Sequence, residues 1–229
     1  MPRRVGILGG MGPQATVLLM QRLLLAARTT DDAGHIPLIV DQNPQVPSRI
    51  RYLIDGTGDD PGPVLAAMAQ RLQTAGAAAI AMPCNTAHHY AGDIRAVLQV
   101  PFIDMVAASV THAATLAQAG TQIAILASPA LRRIALFDAP FAARGLTPAY
   151  PADEAAMLTA IRNIKAHGPT DAARITLRAA STALYNAGVT VQMIACTEFS
   201  LIADATDPRA TVFDTLDVLV SEIANFSLL

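Results

Sequence analysis

Short apolar runs alternate with longer amphipathic stretches along the whole chain, and this alternation restricts the fold more than any single motif does. The runs Arg4–Gly9, Ile36–Asp41, Ala78–Met82, Phe102–Met105, Gln122–Ala127, Thr147–Ala149 and Thr190–Ala195 have the length and composition of buried strands. Between them, Ala15–Arg28, Pro63–Ala75, Ala87–Leu98, Val106–Ala119, Asp153–His167 and Thr170–Ala187 read as helices. The closing segment VFDTLDVLVSEIANF reads as a short strand entry and an amphipathic helix. Gly76, Gly120 and Gly188 each follow a helical stretch, where the residue past the cap turns into positive φ. The alternation of strand and helix predicts an α/β fold built on parallel sheets.

A degenerate repeat runs through this pattern. GILGG opens the first half and IAILAS opens the second, and the only two cysteines, Cys84 and Cys196, lie about half the chain apart. The expected fold is therefore two similar parallel-sheet α/β domains with a pseudo-twofold relation and an interdomain cleft. Residues 1–105 plus 211–229 form the first domain, completed by the C-terminal helix, and residues 106–210 form the second. Ligands of open α/β sheets bind at the carboxyl ends of the strands, where both cysteines are expected.

Composition removes several functional classes. At 52% hydrophobic and 15% charged, the 229 residues can fill a sizeable core and are unlike a disordered chain. A net charge of −2 without Lys/Arg clusters argues against nucleic acid as a partner. Mean hydropathy is high, at +0.38, but no uncharged apolar run reaches the roughly 18 residues of a spanning helix. The basic start MPRRVGILGGMGP has an apolar part too short and glycine-rich for a signal peptide. A soluble cytoplasmic protein with two free thiols is expected.

Two kinds of motif carry chemistry. In GILGGMGPQAT, Gly10, Gly12 and Ala15 match G-x-G-x-x-A after a strand, with Asp41 ending the next strand. Pro13, however, removes a backbone donor that a pyrophosphate would use, and Asp41 runs into the rigid QNPQVPSR loop. Three readings stay open: a dinucleotide site, a tight turn without ligand, and a loop that offers helix N–H groups to a small anionic substrate. The second kind is the cysteine pair. Cys84, in AAIAMPCNTAHHY, sits at a strand-to-helix turn where Asn85 or Thr86 can cap the helix and the helix dipole favours thiolate. Cys196, in VQMIACTEFS, has a parallel setting, followed by Thr197 and Glu198. Either cysteine alone reads as a small core residue, but two in one context at corresponding places suggest a shared task. Cys84 with His88 or His89 offers metal-ligand types without a second ligand set, so no metal is expected; the two histidines read as polar helix residues, with the alternative that one of them orients a group in the cleft. A Cys–His pair for acyl transfer would leave Cys196 without a role.

GILGGMGPQAT, NPQVPSR, MPCNTAHHY, IRNIKAHG and ACTEFSLI together resemble the aspartate/glutamate racemase superfamily, most closely its aspartate racemase branch, in the family's order from residue 6 to about 202. The resemblance implies two α/β domains around a cleft, a homodimer, and racemisation by two cysteines with no cofactor and no pyridoxal phosphate. One thiol removes the α-proton from one face while the other protonates the opposite face, and positioned donors stabilise the carbanion between these steps. It further implies that Asn85, Thr86 and Thr197 bind the α-carboxylate or amino group. Met11 and its loop would close over the substrate, and Arg49 and Lys165 would pair with its carboxylates. Glu198, beside Cys196, would raise that thiol's pKa and make the two acids unequal. One segment departs from the family: LASPALRRIALFD keeps only Ser128 of an expected threonine-rich turn, and Phe137 stands near an expected Tyr. Alternatives are a hydantoin racemase, a cysteine-dependent isomerase or decarboxylase of a small dicarboxylate, a non-catalytic small-ligand-binding protein on the same scaffold, and, more remotely, an NAD-dependent oxidoreductase.

Overall fold

The computed structural model describes residues 2–229. The chain divides into two units, Met1–Met105 with Leu216–Leu229, and Val106–Thr215. In the first, β1 (Val5–Gly9), β2 (Leu38–Gln42), β3 (Ala79–Ala81) and β4 (Phe102–Ile103) form a parallel sheet of order β2-β1-β3-β4. Side chains alternate across a strand, so each face of this sheet needs its own cover. Val5, Ile7 and Ala81 point to one side and pack with Leu19 and Leu23 of helix Pro13–Ala27 and with Leu216, Leu219 and Ile223 of helix Thr215–Leu228. Leu8, Ile80 and Met82 point to the other and pack with Leu65, Met68 and Leu72 of helix Gly62–Thr74 and with Ile94. Burial on both faces explains why these strands read as continuous apolar runs.

The second unit repeats the plan. β5 (Gln122–Leu126), β6 (Thr147–Ala149), β7 (Val191–Ile194) and β8 (Thr211–Asp214) form a parallel sheet of order β6-β5-β7-β8. The order matches the first sheet strand for strand, so β3 and β7 are counterparts. Residues 211–214 differ from expectation. They do not join the N-terminal domain with the terminal helix; they pair with β7 from Val191↔Thr211 to Ile194↔Asp214. Main-chain hydrogen bonding along a buried strand decides this.

Two further segments differ. QNPQVPSR does not stay a loop throughout, because Ser48 accepts a hydrogen bond from the Arg51 N–H and starts a short helix, Arg49–Leu53. The segment after β5 folds into two short helices, Ala130–Arg133 and Asp138–Ala142, closed by fully buried Phe137 stacked on Phe141 with centroids 5.5 Å apart. Phe137 is therefore a core residue, and Ser128 accepts locally from the Ala130 N–H. Among the described residues no helix is long and apolar enough to cross a membrane.

Candidate active site

In the first unit, the loop after β1 is shaped by its own packing. Gly10 has φ +95°, and a Cβ there would lie 2.4 Å from the Asn43 backbone. Its N–H donates to Thr16 Oγ1 at 3.0 Å. A Cβ on Gly9 would meet Thr16 at 2.8 Å. Gly10 of the G-x-G-x-x-A match and Gly9 before it thus serve close approaches to Asn43 and Thr16, and one donor that a pyrophosphate would need is already engaged. Asp41 faces the Arg71 guanidinium, 2.7 Å from Nη2, in place of a ribose. The dinucleotide reading has no support in these contacts. The Met11 side chain is buried in the cluster that holds Leu8, Val46 and Cys84, and its carbonyl faces Arg49.

Arg49 is half-buried. Nη1 donates to the carbonyls of Pro47 at 2.9 Å and Val46 at 3.4 Å, and Nη2 to that of Met11 at 3.4 Å. Its buried Nε–H has no acceptor. Backbone carbonyls orient a guanidinium without neutralising its charge.

Cys84 lies just beyond β3, buried, with its N–H donating to the Met82 carbonyl at 2.9 Å. Asn85 is buried and Thr86 half-buried, but the expected side-chain cap is absent. Asn85 has helical φ −57° and ψ −48°, and the turn Thr86–Tyr90 is entered with no side-chain cap hydrogen bond. The two histidines part company: His88 is buried with both ring nitrogens engaged, while His89 is exposed.

In the second unit, Cys196 occupies the counterpart place beyond β7. It is the N-cap residue of a single helical turn, Thr197–Ser200, with extended φ −142° and ψ 120°. Its thiol donates to Glu198 Oε2 at 3.0 Å, and Lys165 Nζ lies 2.9 Å from Glu198 Oε1. Thr197 and Glu198 are buried beside it. Lys165 is thus joined to Cys196 through Glu198. Burial, followed by the charge and hydrogen bond of Glu198, pushes the Cys196 thiol well above its ordinary pKa, against a smaller opposing pull from Lys165. A four-residue helix offers little dipole to set against this, and the shift runs in the direction in which Glu198 was expected to push it. The stability gained by keeping this thiol protonated is complete below the ordinary value of 9.0 and is lost as pH rises through the raised folded-state value. Sequence pattern gave no warning of Ser200 Oγ donating to Asp214 Oδ1 at 2.9 Å, which ties the end of β8 to the turn that carries Cys196.

Replacing Glu198 by Gln removes the carboxylate that opposes ionisation. Cys196 in Glu198→Gln is expected to react several-fold faster with iodoacetamide at pH 8, with Cys84 unchanged, as followed peptide by peptide in a mass spectrometer. An unaltered Cys196 rate would mean that burial alone holds the thiol. Among the described residues no group of three or more His, Cys, Asp or Glu side chains could hold a metal ion.

Residues 8–223 match the family model described as Asp/Glu/Hydantoin racemase. The chain belongs to that family. It is accordingly an isomerase of the racemase kind. Solved structures share its fold. An aspartate racemase from Picrophilus torridus superposes with a TM-score of 0.87 at 23% identity, covering 97% of this chain and 93% of its own. An aspartate racemase homologue from Pyrococcus horikoshii OT3 gives 0.74 at 18% identity, with 98% of each chain covered. A glutamate racemase from Francisella tularensis, in complex with D-glutamate, gives 0.68 at 15% identity over 98% of this chain and 80% of its own.

Proposed function

We propose that this racemase-family chain interconverts the enantiomers of an acidic amino acid, aspartate in the first instance, without a cofactor, by passing protons between Cys84 and Cys196. The observation that carries the reading is positional. Each four-stranded sheet has the same strand order, and each carries one of the chain's two cysteines two or three residues beyond the end of the corresponding strand, β3 or β7. A two-base racemase needs one such group for each face of Cα.

The chemistry follows from the different settings of the thiols. Cys196, hydrogen-bonded to Glu198, rests as S–H and serves first as the acid. Cys84 takes the α-proton: the Cα–H bond breaks, an S–H bond forms on Cys84, and the electron pair stays on the substrate. The Cys196 S–H bond then breaks, its proton forms the new Cα–H bond on the opposite face, and Cys196 is left as thiolate. Asn85, Thr86 and Thr197, with neighbouring backbone N–H groups, hold the α-carboxylate and stabilise the charge that develops. Arg49 favours an acidic side chain over a neutral hydantoin ring, because its charge is unneutralised and its Nε–H lacks an acceptor. Lys165 takes part through Glu198, and a carboxylate that drew it away would remove the pull it exerts on that thiol. The reading also takes the enzyme to be a cytoplasmic homodimer.

Incubating L- and D-aspartate and glutamate in D2O with the purified protein and no added cofactor tests this. Loss of the α-proton signal by NMR, with growth of the opposite enantiomer on chiral chromatography, is expected for aspartate. Absence of exchange with both acids would overturn the proposal.

A further inference from the structure

His88 has a geometry that a merely polar helix residue would not need. Its Nδ1 lies 2.8 Å from the Cys84 carbonyl oxygen, four residues back. The N–H of Met105, first residue of the helix Met105–Leu116, donates to its Nε2 at 3.1 Å. An amide N–H can only donate, so Nε2 must be the acceptor and Nδ1 must carry the proton that goes to the carbonyl. A doubly protonated ring would set one N–H against another. Around the ring stand Asp104, whose Oδ1 is 3.9 Å from Nε2, Arg95, ion-paired to Asp104, and the ring of Phe102 at 5.4 Å. Burial holds the imidazole below its ordinary pKa, against the pull of Asp104, in keeping with the neutral form that the hydrogen bonds already require.

We propose that His88 is the positioning residue for the Cys84 thiol: as a neutral Nδ1–H tautomer it pins the Cys84 carbonyl to the Met105 N–H and so fixes the direction in which Sγ leaves the strand end. That carbonyl is Cys84's own, so the hydrogen bond from the imidazole N–H holds the backbone of Cys84, and with it the Cα from which Cβ and Sγ project. One ring therefore ties the end of β3 to the start of the helix at which the chain leaves the first unit. That the thiol so placed is a proton-transfer group rests on the reading above; the placement does not.

The test separates the two. In wild-type protein, 15N NMR of the histidine ring is expected to show the neutral Nδ1–H tautomer for His88, and an Nε2–H tautomer would overturn the proposal. In His88→Ala, iodoacetamide labelling of Cys84 is expected to rise several-fold relative to Cys196. His88→Asn, whose amide N–H can still reach the carbonyl, is expected to restore most of the wild-type rate. No change at Cys84, an equal rise at both cysteines, or no recovery in His88→Asn would each overturn it, and His88→Asn carries the test if His88→Ala fails to fold. These readouts need no activity. If aspartate is racemised, kcat in His88→Ala falls about 10–100-fold with KM held; a change confined to KM would also count against it.

Discussion

Exchanging either thiol for a hydroxyl, in Cys84→Ser or Cys196→Ser, is expected to lower aspartate racemisation about a hundred- to ten-thousand-fold in both directions, the range over which a positioned acid or base acts. Both directions fall together because each turnover uses both groups, one as base and one as acid. A reaction that needs a single base behaves differently. Elimination of HCl from 3-chloroaspartate requires only removal of the α-proton and departure of chloride, so each variant keeps it for the enantiomer addressed by its surviving cysteine. The two variants are therefore expected to eliminate from opposite enantiomers, as followed by chloride release. Wild-type racemisation in either variant, or loss of the same enantiomer in both, would be incompatible with one thiol on each face. The two losses need not be equal. Cys196 sits against Glu198, which already holds a hydrogen bond from it, whereas the Cys84 backbone is held by His88. A serine at 196 would keep a donor to the same carboxylate while losing an acid of usable strength.

Much of the architecture was legible because burial on both faces of a parallel sheet leaves continuous apolar runs, and Gly76, Gly120 and Gly188 adopt the positive φ that their places after helices predicted. The regions that misled did so for identifiable reasons. Residues 211–214 read as a short strand entry, but which sheet that strand joins is decided by its pairing with β7, which no local pattern records. Pro44 and Pro47 made their loop read as rigid coil and hid a helix that begins at the next residue but one. His88 and His89 are chemically identical neighbours, and which one faces inward depends on the tighter winding of the five-residue segment Thr86–Tyr90, which α-helical periodicity does not anticipate. Phe137 looked like a replaced site residue, yet its ring lies in a core whose shape no local pattern records. For the cysteines, residue type and position after a strand were legible. The direction of the Cys196 shift was legible as well, from Glu198 two residues on, but not that Lys165 reaches that carboxylate from a helix more than thirty residues earlier in the chain.

The loop after β1 provides the second large effect. Gly10→Ala is expected to lower stability by about 3 kcal/mol and to depress activity further than stability alone would explain. Two terms combine: holding a non-glycine residue at φ +95° costs roughly 1–3 kcal/mol, and forcing a methyl into occupied space costs roughly another 1–3 kcal/mol. The occupied space is backbone: the new Cβ would stand 2.4 Å from both the Asn43 carbonyl carbon and its oxygen, which no rotamer change relieves. Relief requires β1 and the start of the Asn43 loop to separate. That movement carries Met11, and with it the carbonyl that Arg49 Nη2 holds from the other side, and it also strains the Gly10 N–H to Thr16 bond. The same displacement would thus unseat the one guanidinium in the first unit that the proposed reaction uses for the substrate carboxylate. Urea unfolding measures the first effect. A rise in KM for aspartate in the fraction that remains folded measures the second, and an unchanged KM would show that Arg49 keeps its place without the loop.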